Sequence, residues 1–135
     1  MWGKIGVRYN RTEFTKENDM TDEQKLEQLF SEQEYLVLAV TLDDSTPWPV
    51  PVRMRTSDGK VFEWDSHLLT EHSKAIAQRP TVAITVFQKW DDHQTGYYAK
   101  GTAELIEEFK PGFGRYRFTA SQAWINDETF RKRAV

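Results

Sequence analysis

The apolar positions in the middle of the chain follow the pattern of β-strands. Residues 35–42 and 81–88 are nearly continuous apolar runs, which is typical of strands buried in a core. Between them, Val50, Val52 and Met54 alternate with other residues, two of which are arginines. Successive side chains of a strand point to opposite faces, so this segment has one apolar face and one basic face. We predict a strand at each of these places.

Turn signals connect further strands. Residues 57–60 (Ser-Asp-Gly-Lys) have the composition of a hairpin turn, and residues 61–64 return as a strand. A long strand is predicted over residues 97–107, where Gly101 marks a bend or a close approach of another backbone. Residues 110–117, with two glycines and one proline, are predicted to be a loop or a short helix. Short spacing and few helices favour a small antiparallel barrel of about six strands, mainly β with flanking helices.

Two helices are predicted beside these strands. Residues 21–30 begin with Thr21 and Gln24, which have the spacing of a capping box. Residues 70–78 form the second helix, which Pro80 closes. This helix joins strands that need not pair with each other.

The two ends of the chain differ from its middle. Residues 1–19 form a polar segment in which alternating apolar positions could form an edge strand. Residues 126–135 are predicted to be helical, with Asn126 or Asp127 as the cap, so residues 120–135 are expected to form a C-terminal helical segment.

Length and charge narrow the class of protein. With 135 residues, residues 1–135 are expected to form a single domain. A net charge of −3 argues against nucleic acid as the main partner, whereas the local clustering of basic residues fits a small anionic ligand.

The absence of cysteine excludes disulfides, thiolate metal sites and a cysteine nucleophile. No stretch approaches the roughly 18 apolar residues of a membrane span, and no signal peptide is recognisable. We therefore expect no membrane partner and a cytoplasmic location.

Phosphate-binding side chains gather at the start of the second predicted helix: Ser66, Thr70, His72, Ser73 and Lys74. A helix N-terminus presents unpaired N–H groups and a partial positive charge to anions. Hydroxyls, these N–H groups and a cation would together make a phosphate cradle. The alternative is that Thr70 is an ordinary N-cap and nothing more.

The other candidate side chains also have two interpretations. Arg53 and Arg55 share one strand face, and they either bind a phosphate or form the solvent-facing side of a half-buried strand. Trp64 and the other large aromatic residues fit a core or a dimer interface better than a ligand-stacking role. The histidines lack the spacing of a helical metal site, so we expect no metal.

Taken together, these segments resemble the FMN-binding split-barrel family, the pyridoxamine 5′-phosphate oxidase-like proteins. The likeness covers roughly residues 22–108 and is carried by residues 35–40, 49–53, 62–66, 72–80, 81–86 and 100–106. It implies a split β-barrel and a homodimer that holds FMN at the subunit interface. The cofactor-binding positions that it implies are Arg53, Met54, Trp64, Ser66, Thr70, His72, Ser73 and Lys74.

The resemblance leaves several functions open. His72 falls where many relatives place a phosphate-binding lysine, and Ala75 replaces an asparagine that is common in the phosphate helix. The C-terminal substrate-binding segment of the true pyridoxamine-phosphate oxidases is not recognisable, so vitamin B6 oxidation is not favoured. The expected activity is that of an FMN-dependent oxidoreductase with an unknown substrate and unknown catalytic residues. The alternatives are a non-catalytic flavin- or haem-binding sensing module and a deazaflavin-dependent reductase on the same barrel.

Overall fold

The computed structural model describes residues 20–56, 58–88 and 94–135. The elements in chain order are α1 (Asp22–Glu32), β1 (Tyr35–Thr41), β2 (Pro47–Arg53), β3 (Arg55–Thr56), β4 (Val61–His67), α2 (Glu71–Gln78), β5 (Thr81–Phe87), β6 (Gly96–Lys110), β7 (Phe113–Asn126) and β8 (Arg133–Ala134). The predicted edge strand within residues 1–19 lies outside the described residues.

All described strands belong to one antiparallel sheet with the order β2–β1–β5–β6–β7–β4–β3, and β8 pairs with β7. The two ends of this order, β2 and β3, are separated in sequence by the single residue Met54. Because the terminal strands are covalently joined, the sheet curls round into a barrel. Six strands have seven or more residues, whereas β3 and β8 have two each. The predicted barrel of about six antiparallel strands is therefore confirmed.

The core lies inside this barrel and under the two helices. The two apolar runs predicted to be core strands are β1 and β5, and their inward side chains are almost completely buried. Leu29 of α1 and Ile76 of α2 complete the same core. The helices thus cover the barrel interior, while the outward side chains of the strands stay partly exposed.

Local signals at both helix starts act as predicted. The Thr21 side chain accepts from the backbone N–H of Gln24, and the Gln24 side chain accepts from the N–H of Thr21, which completes the capping box of α1. Thr70 caps α2 by accepting from the N–H of Ser73. Neither described helix is long and apolar enough to cross a membrane.

Gly101 lies where the backbone of the neighbouring strand approaches closely, as predicted. The register between β6 and β7 shifts between Lys100 and Gly101, so a bulge lies here. A Cβ atom added at Gly101 would stand 2.0 Å from the carbonyl oxygen of Thr119. Only a residue without a side chain fits this position.

The prediction of a loop or short helix over residues 110–117 was wrong. Strand β6 continues to Lys110, and β7 begins at Phe113 after a two-residue turn. Gly112 supplies the left-handed conformation of that turn, with φ of 84°. Beyond the turn, side chains alternate between buried and outward positions, as in a half-exposed strand. The glycines and the proline serve one tight turn and one close packing contact.

The predicted C-terminal helical segment, residues 120–135, is also wrong. Strand β7 runs on to Asn126, and β8 folds back to pair with it. Asp127 caps a turn instead of a helix, because its carboxylate accepts from the N–H and the hydroxyl of Thr129. The same carboxylate binds Lys25 and Arg133, which ties the end of the chain to α1.

Candidate functional site

Four of the predicted site residues converge between the end of β4 and the start of α2. Ser66 Oγ lies 2.9 Å from His72 Nε2, and Thr70 Oγ1 lies 3.4 Å from the same nitrogen. Thr70 Oγ1 is also 2.8 Å from Ser73 Oγ. We name these four side chains, Ser66, Thr70, His72 and Ser73, the hydroxyl–histidine cluster.

The short link between β4 and α2 holds the cluster together. Thr70 closes a turn against the carbonyl oxygen of His67, which lies 3.3 Å from the Thr70 nitrogen and 3.1 Å from its hydroxyl. His67 Nδ1 accepts from the N–H of Leu69 in the same link. These bonds bring the end of a strand and the first turn of a helix into contact.

The start of α2 still has donors to offer. The N–H of Ser73 donates to Thr70 Oγ1, and that of Lys74 donates to the Thr70 carbonyl oxygen. The N–H groups of Glu71 and His72 have no acceptor among the described residues. Two backbone donors and the positive end of the helix dipole therefore lie beside the cluster.

His72 is buried, with 8% of its surface exposed, and burial lowers its pKa below the ordinary value of a histidine. The ring is therefore neutral at neutral pH, with one N–H donor. A phosphate dianion at the cluster would favour the charged ring and raise that pKa again. Binding of such an anion would then be accompanied by proton uptake.

The two positively charged side chains predicted at the site, Arg53 and Lys74, form ion pairs with acidic residues outside the cluster. Arg53 forms an ion pair with Glu34 at 3.3 Å, and its guanidinium lies 3.3 Å from the Tyr35 hydroxyl. Lys74 forms an ion pair with Glu71 at 3.2 Å, on the exposed side of α2. Neither side chain is hydrogen-bonded to the hydroxyl–histidine cluster.

The remaining two predicted residues lie in the core. Met54 and Trp64 are both buried, and Trp64 stacks on Tyr116 with ring centroids 6.1 Å apart and planes within 11°. The indole N–H of Trp64 has no hydrogen-bond partner among the described residues. These two side chains shape the barrel interior behind the site.

Sequence reasoning missed the charged pairs that hold the end of β4. Asp65 accepts from Arg115 at 3.0 Å and from Arg55 at 2.8 Å. The hydrogen bond from Arg115, with the charge of Arg55, lowers the pKa of Asp65. Arg115 lies directly opposite Asp65 on β7. The alternation of buried and outward side chains along β7 could have indicated this pair. It was missed because residues 110–117 were predicted to be a loop or a short helix.

The outer side of β1 and β5 is a second feature of the site region. Val37 and Ala39 of β1 lie opposite Thr85 and Ala83 of β5, and all four are partly exposed. Tyr35 and Phe87, at the ends of these strands, are more than half exposed. We name these six residues the outer apolar face. The outer side of β1 and β5 is thus largely apolar, and within the described residues the core covers only the inner side.

Within the described ranges, no group of three or more histidine, aspartate or glutamate side chains is placed to hold a metal ion. The donors of the cluster are hydroxyls, backbone N–H groups and one imidazole, which suit an oxyanion.

Comparison with known proteins gives structural matches only. No protein-family model matches the sequence. No curated protein matches it either. Among solved structures, a haem-binding protein from Mycobacterium smegmatis superposes with a TM-score of 0.73 at 12% identity, over 86% of this chain. This chain spans 58% of the length of that protein.

Two further structural neighbours are a general stress protein 26 and a protein related to it. A Clostridium acetobutylicum protein related to general stress protein 26, of the pyridoxinephosphate oxidase family, has a TM-score of 0.71 at 12% identity, over 85% of this chain and 96% of its own. General stress protein 26 from Bacillus anthracis has a TM-score of 0.66 at 14% identity, over 86% and 100%. This chain therefore has the split-barrel fold of the pyridoxamine 5′-phosphate oxidase-like proteins, as the sequence resemblance predicted.

Proposed function

We propose that this protein is an FMN-dependent oxidoreductase that holds its flavin between two copies of the chain. The observation that carries the proposal is the hydroxyl–histidine cluster at the start of α2. It brings three hydroxyls, one imidazole and two unpaired backbone N–H groups to one place. This donor set fits the terminal phosphate of FMN.

The cluster can also supply positive potential for the negatively charged phosphate of FMN. Because Arg53 and Lys74 are paired with acids, the positive potential comes from the helix dipole and from protonation of His72. The strand from Pro51 to Met54 would run beside the flavin ring. FMN supplies hydride or electron transfer when bound. The residues of this chain then bind, orient and shield it, and no acid–base pair of side chains is required.

The outer apolar face supports the dimer. A strand with apolar side chains on both faces is stable when both faces are buried, and within the part of the chain that the structure describes the core buries only the inner face. The edge of the sheet is a poor alternative contact, because Pro47, Pro49 and Pro51 lie along β2. Proline has no N–H, so its positions are those that face away from β1, and that edge donates no hydrogen bonds there. We propose that a second copy covers the face instead of extending the sheet.

We expect light scattering of the purified protein to give twice the chain mass of 15.9 kDa. Ala83→Glu would place a charge in the middle of the outer apolar face and should give a monomer, since an unpaired charge is costly to bury. Ala77→Glu makes the same change on the exposed side of α2 and should leave the dimer intact. A parent protein that scatters as a single chain at micromolar concentration would contradict the proposed dimer.

The phosphate contact is tested by Ser66→Ala combined with His72→Gln. Ser66→Ala removes a hydroxyl donor, and His72→Gln replaces the protonated imidazole by a neutral amide, so one hydrogen bond to the phosphate is lost and another loses its charge. Hydrogen bonds to a charged group are worth about 1.5–3 kcal/mol each, so the combined variant should bind FMN at least about tenfold more weakly. Riboflavin lacks the phosphate, so its affinity should change much less. The measurement is titration of each flavin, followed by fluorescence quenching.

Lys74→Ala is the matched control, because the exposed Lys74 is paired with Glu71 in the free chain. We expect its FMN affinity to stay within about threefold of the parent, the range of an exposed ion pair. If the Ser66→Ala and His72→Gln variant binds FMN as tightly as the parent, the cluster is only a helix cap and the proposal fails.

Haem binding is the second candidate. The structural neighbour from Mycobacterium smegmatis is a haem-binding protein, and His72 offers a neutral imidazole. The visible absorption spectrum of the purified protein decides between flavin and haem, since flavin bands support the FMN-dependent oxidoreductase and a Soret band supports haem binding.

Two further alternatives are distinguished by observations on the same protein. Flavin bands that neither NADH nor NADPH reduces would favour a non-catalytic sensing module. A deazaflavin released on heating would favour a deazaflavin-dependent reductase.

A further inference from the structure

A separate groove opens between α1, the β3–β4 turn and β7. Its volume is about 540 Å³, within the usual range of small-molecule sites. The apolar side chains of its lining are Leu26, Phe30, Tyr97, Ala120, Ala123 and Val135. Three different parts of the fold thus enclose one concave, partly aromatic surface.

This groove is remote from the hydroxyl–histidine cluster. It touches Lys60, immediately before β4, whereas the cluster begins with Ser66 near the other end of that strand. Six residues of extended chain span roughly 20 Å. The two sites share no lining residue, so the groove needs its own explanation.

The rim of the groove is acidic. Glu23, Glu27 and Asp58 supply three carboxylates against the single cation of Lys60. Asp58 already accepts from the N–H groups of Lys60 and Val61. The side chains of Glu23 and Glu27 form no ion pair and no hydrogen bond among the described residues.

The two glutamates contrast with the rest of their helix. On α1, Asp22 pairs with Arg133 and Lys25 pairs with Asp127, so those charges are neutralised. Glu23 and Glu27 are four residues apart on one side of the helix, where like charges repel each other. A cation in the groove would relieve this repulsion.

The floor offers aromatic surface and no titratable anion. Phe30 meets Tyr97 edge to face, with ring centroids 5.0 Å apart. The Tyr97 hydroxyl donates to the carbonyl oxygen of Gly59, and burial raises the pKa of Tyr97 to about 12, so the phenol stays neutral. A neutral aromatic floor of this kind packs favourably against an apolar or aromatic group of a ligand.

We propose that this groove binds a small organic cation, an ammonium ion that carries an apolar or aromatic group. The apolar group lies on the floor of Leu26, Phe30 and Tyr97, and the ammonium lies at the rim between Glu23 and Glu27. The proposal does not depend on the flavin site.

The test uses three probes of the same shape and different charge: 4-phenylbutylamine, 4-phenylbutanol and 4-phenylbutyrate. Calorimetric titration of the full chain should show saturable binding of the amine, with a dissociation constant on the order of millimolar or tighter. The alcohol should bind more weakly, and the acid weakest. Amide chemical shifts of Gly59 and Ala123 should move with the amine. Equal affinities for the three probes, shifts confined to other residues, or no saturable binding would each overturn the proposal.

Single substitutions of the two glutamates test whether the ammonium of the ligand lies beside them. Glu23→Gln and Glu27→Gln should each weaken amine binding roughly two- to fivefold, which is what an exposed ion pair contributes, and should leave alcohol binding unchanged. Glu104→Gln removes the same charge from an exposed position on β6 and should have no effect. FMN titration of these variants should match the parent, so a failure here is distinguishable from a failure of the flavin proposal. An unchanged amine affinity in both groove variants would refute the assignment of the ammonium to this rim.

Discussion

Replacing Gly101 with alanine is expected to lower the free energy of unfolding by about 3 kcal/mol or more. The added Cβ would stand 2.0 Å from the carbonyl oxygen and 2.9 Å from the carbonyl carbon of Thr119. Both are backbone atoms of the neighbouring strand, so no side-chain rotation can relieve the overlap. The bulge between β6 and β7 would have to open, and the pairing on both sides of it would be strained.

Thermal unfolding provides the measurement, and a fall of roughly 10 °C in the midpoint is expected for a domain of this size. Gly96→Ala is the control in the same strand, because its Cβ would meet the hydroxyl end of Tyr98 at 3.0 Å, a group that can move. We expect that variant to lose about 1 kcal/mol or less. Equal losses in the two variants would show that the Thr119 contact is not what requires a glycine at position 101.

The central strands could be predicted because their signals are local. The apolar runs of β1 and β5, the turn before β4 and the cap of α2 each depend on neighbouring residues, and each appears where it was predicted. Gly101 belongs to the same group, since a glycine within a strand pattern indicates close backbone contact. The barrel followed from the order and spacing of these elements.

The region after β6 could not be predicted in the same way. Two glycines and a proline near residue 112 look like a loop, yet Gly114 lies inside a strand because Leu105 and Leu68 fill the space beside it. That packing joins residues distant in sequence. The C-terminal segment failed for a related reason, because pairing of β8 with β7 outweighs its local helical pattern.

The candidate site shows the same division between local and distant information. Ser66, Thr70, His72 and Ser73 were predicted together from the start of one helix, and they converge. The charge state of the site depends on distant partners instead. Glu34 forms an ion pair with Arg53, and burial lowers the pKa of His72. A sequence pattern can therefore propose donors, while the folded chain decides which of them carry charge.

A buried ion cluster explains how the end of the chain is held. Asp127 is 1% exposed at its side chain and accepts from Lys25 at 2.9 Å and from Arg133 at 2.7 Å. Arg133 also pairs with Asp22 at 2.8 Å. Burial alone would raise the pKa of Asp127, but hydrogen bonds from Arg133, Lys25 and Thr129 outweigh burial and hold that pKa well below its ordinary value.

Asp127→Ala should therefore destabilise the protein by about 3–5 kcal/mol, because it leaves the ammonium of Lys25, which is 7% exposed, without its main partner. Adding Lys25→Met removes that unpaired charge and should recover part of the loss, as a double-mutant cycle would reveal. Asp22→Asn is the control on the more exposed side of the cluster and should cost about 1 kcal/mol or less. The measurement is urea unfolding of five proteins: the parent, Asp127→Ala, Lys25→Met, the combined variant and Asp22→Asn.

The same carboxylate should govern the acid stability of the chain. Because the folded state lowers the pKa of Asp127, the unfolded chain binds the proton more readily, and the stabilisation is fully present above the unfolded value of about 3.9. It is lost as the pH falls below that value toward the folded pKa. Asp127→Asn should therefore be less stable than the parent at pH 7, and its stability should fall less steeply below about pH 4. If the two proteins lose stability in parallel over that acid range, Asp127 is not the group whose charge holds the C-terminal segment in place.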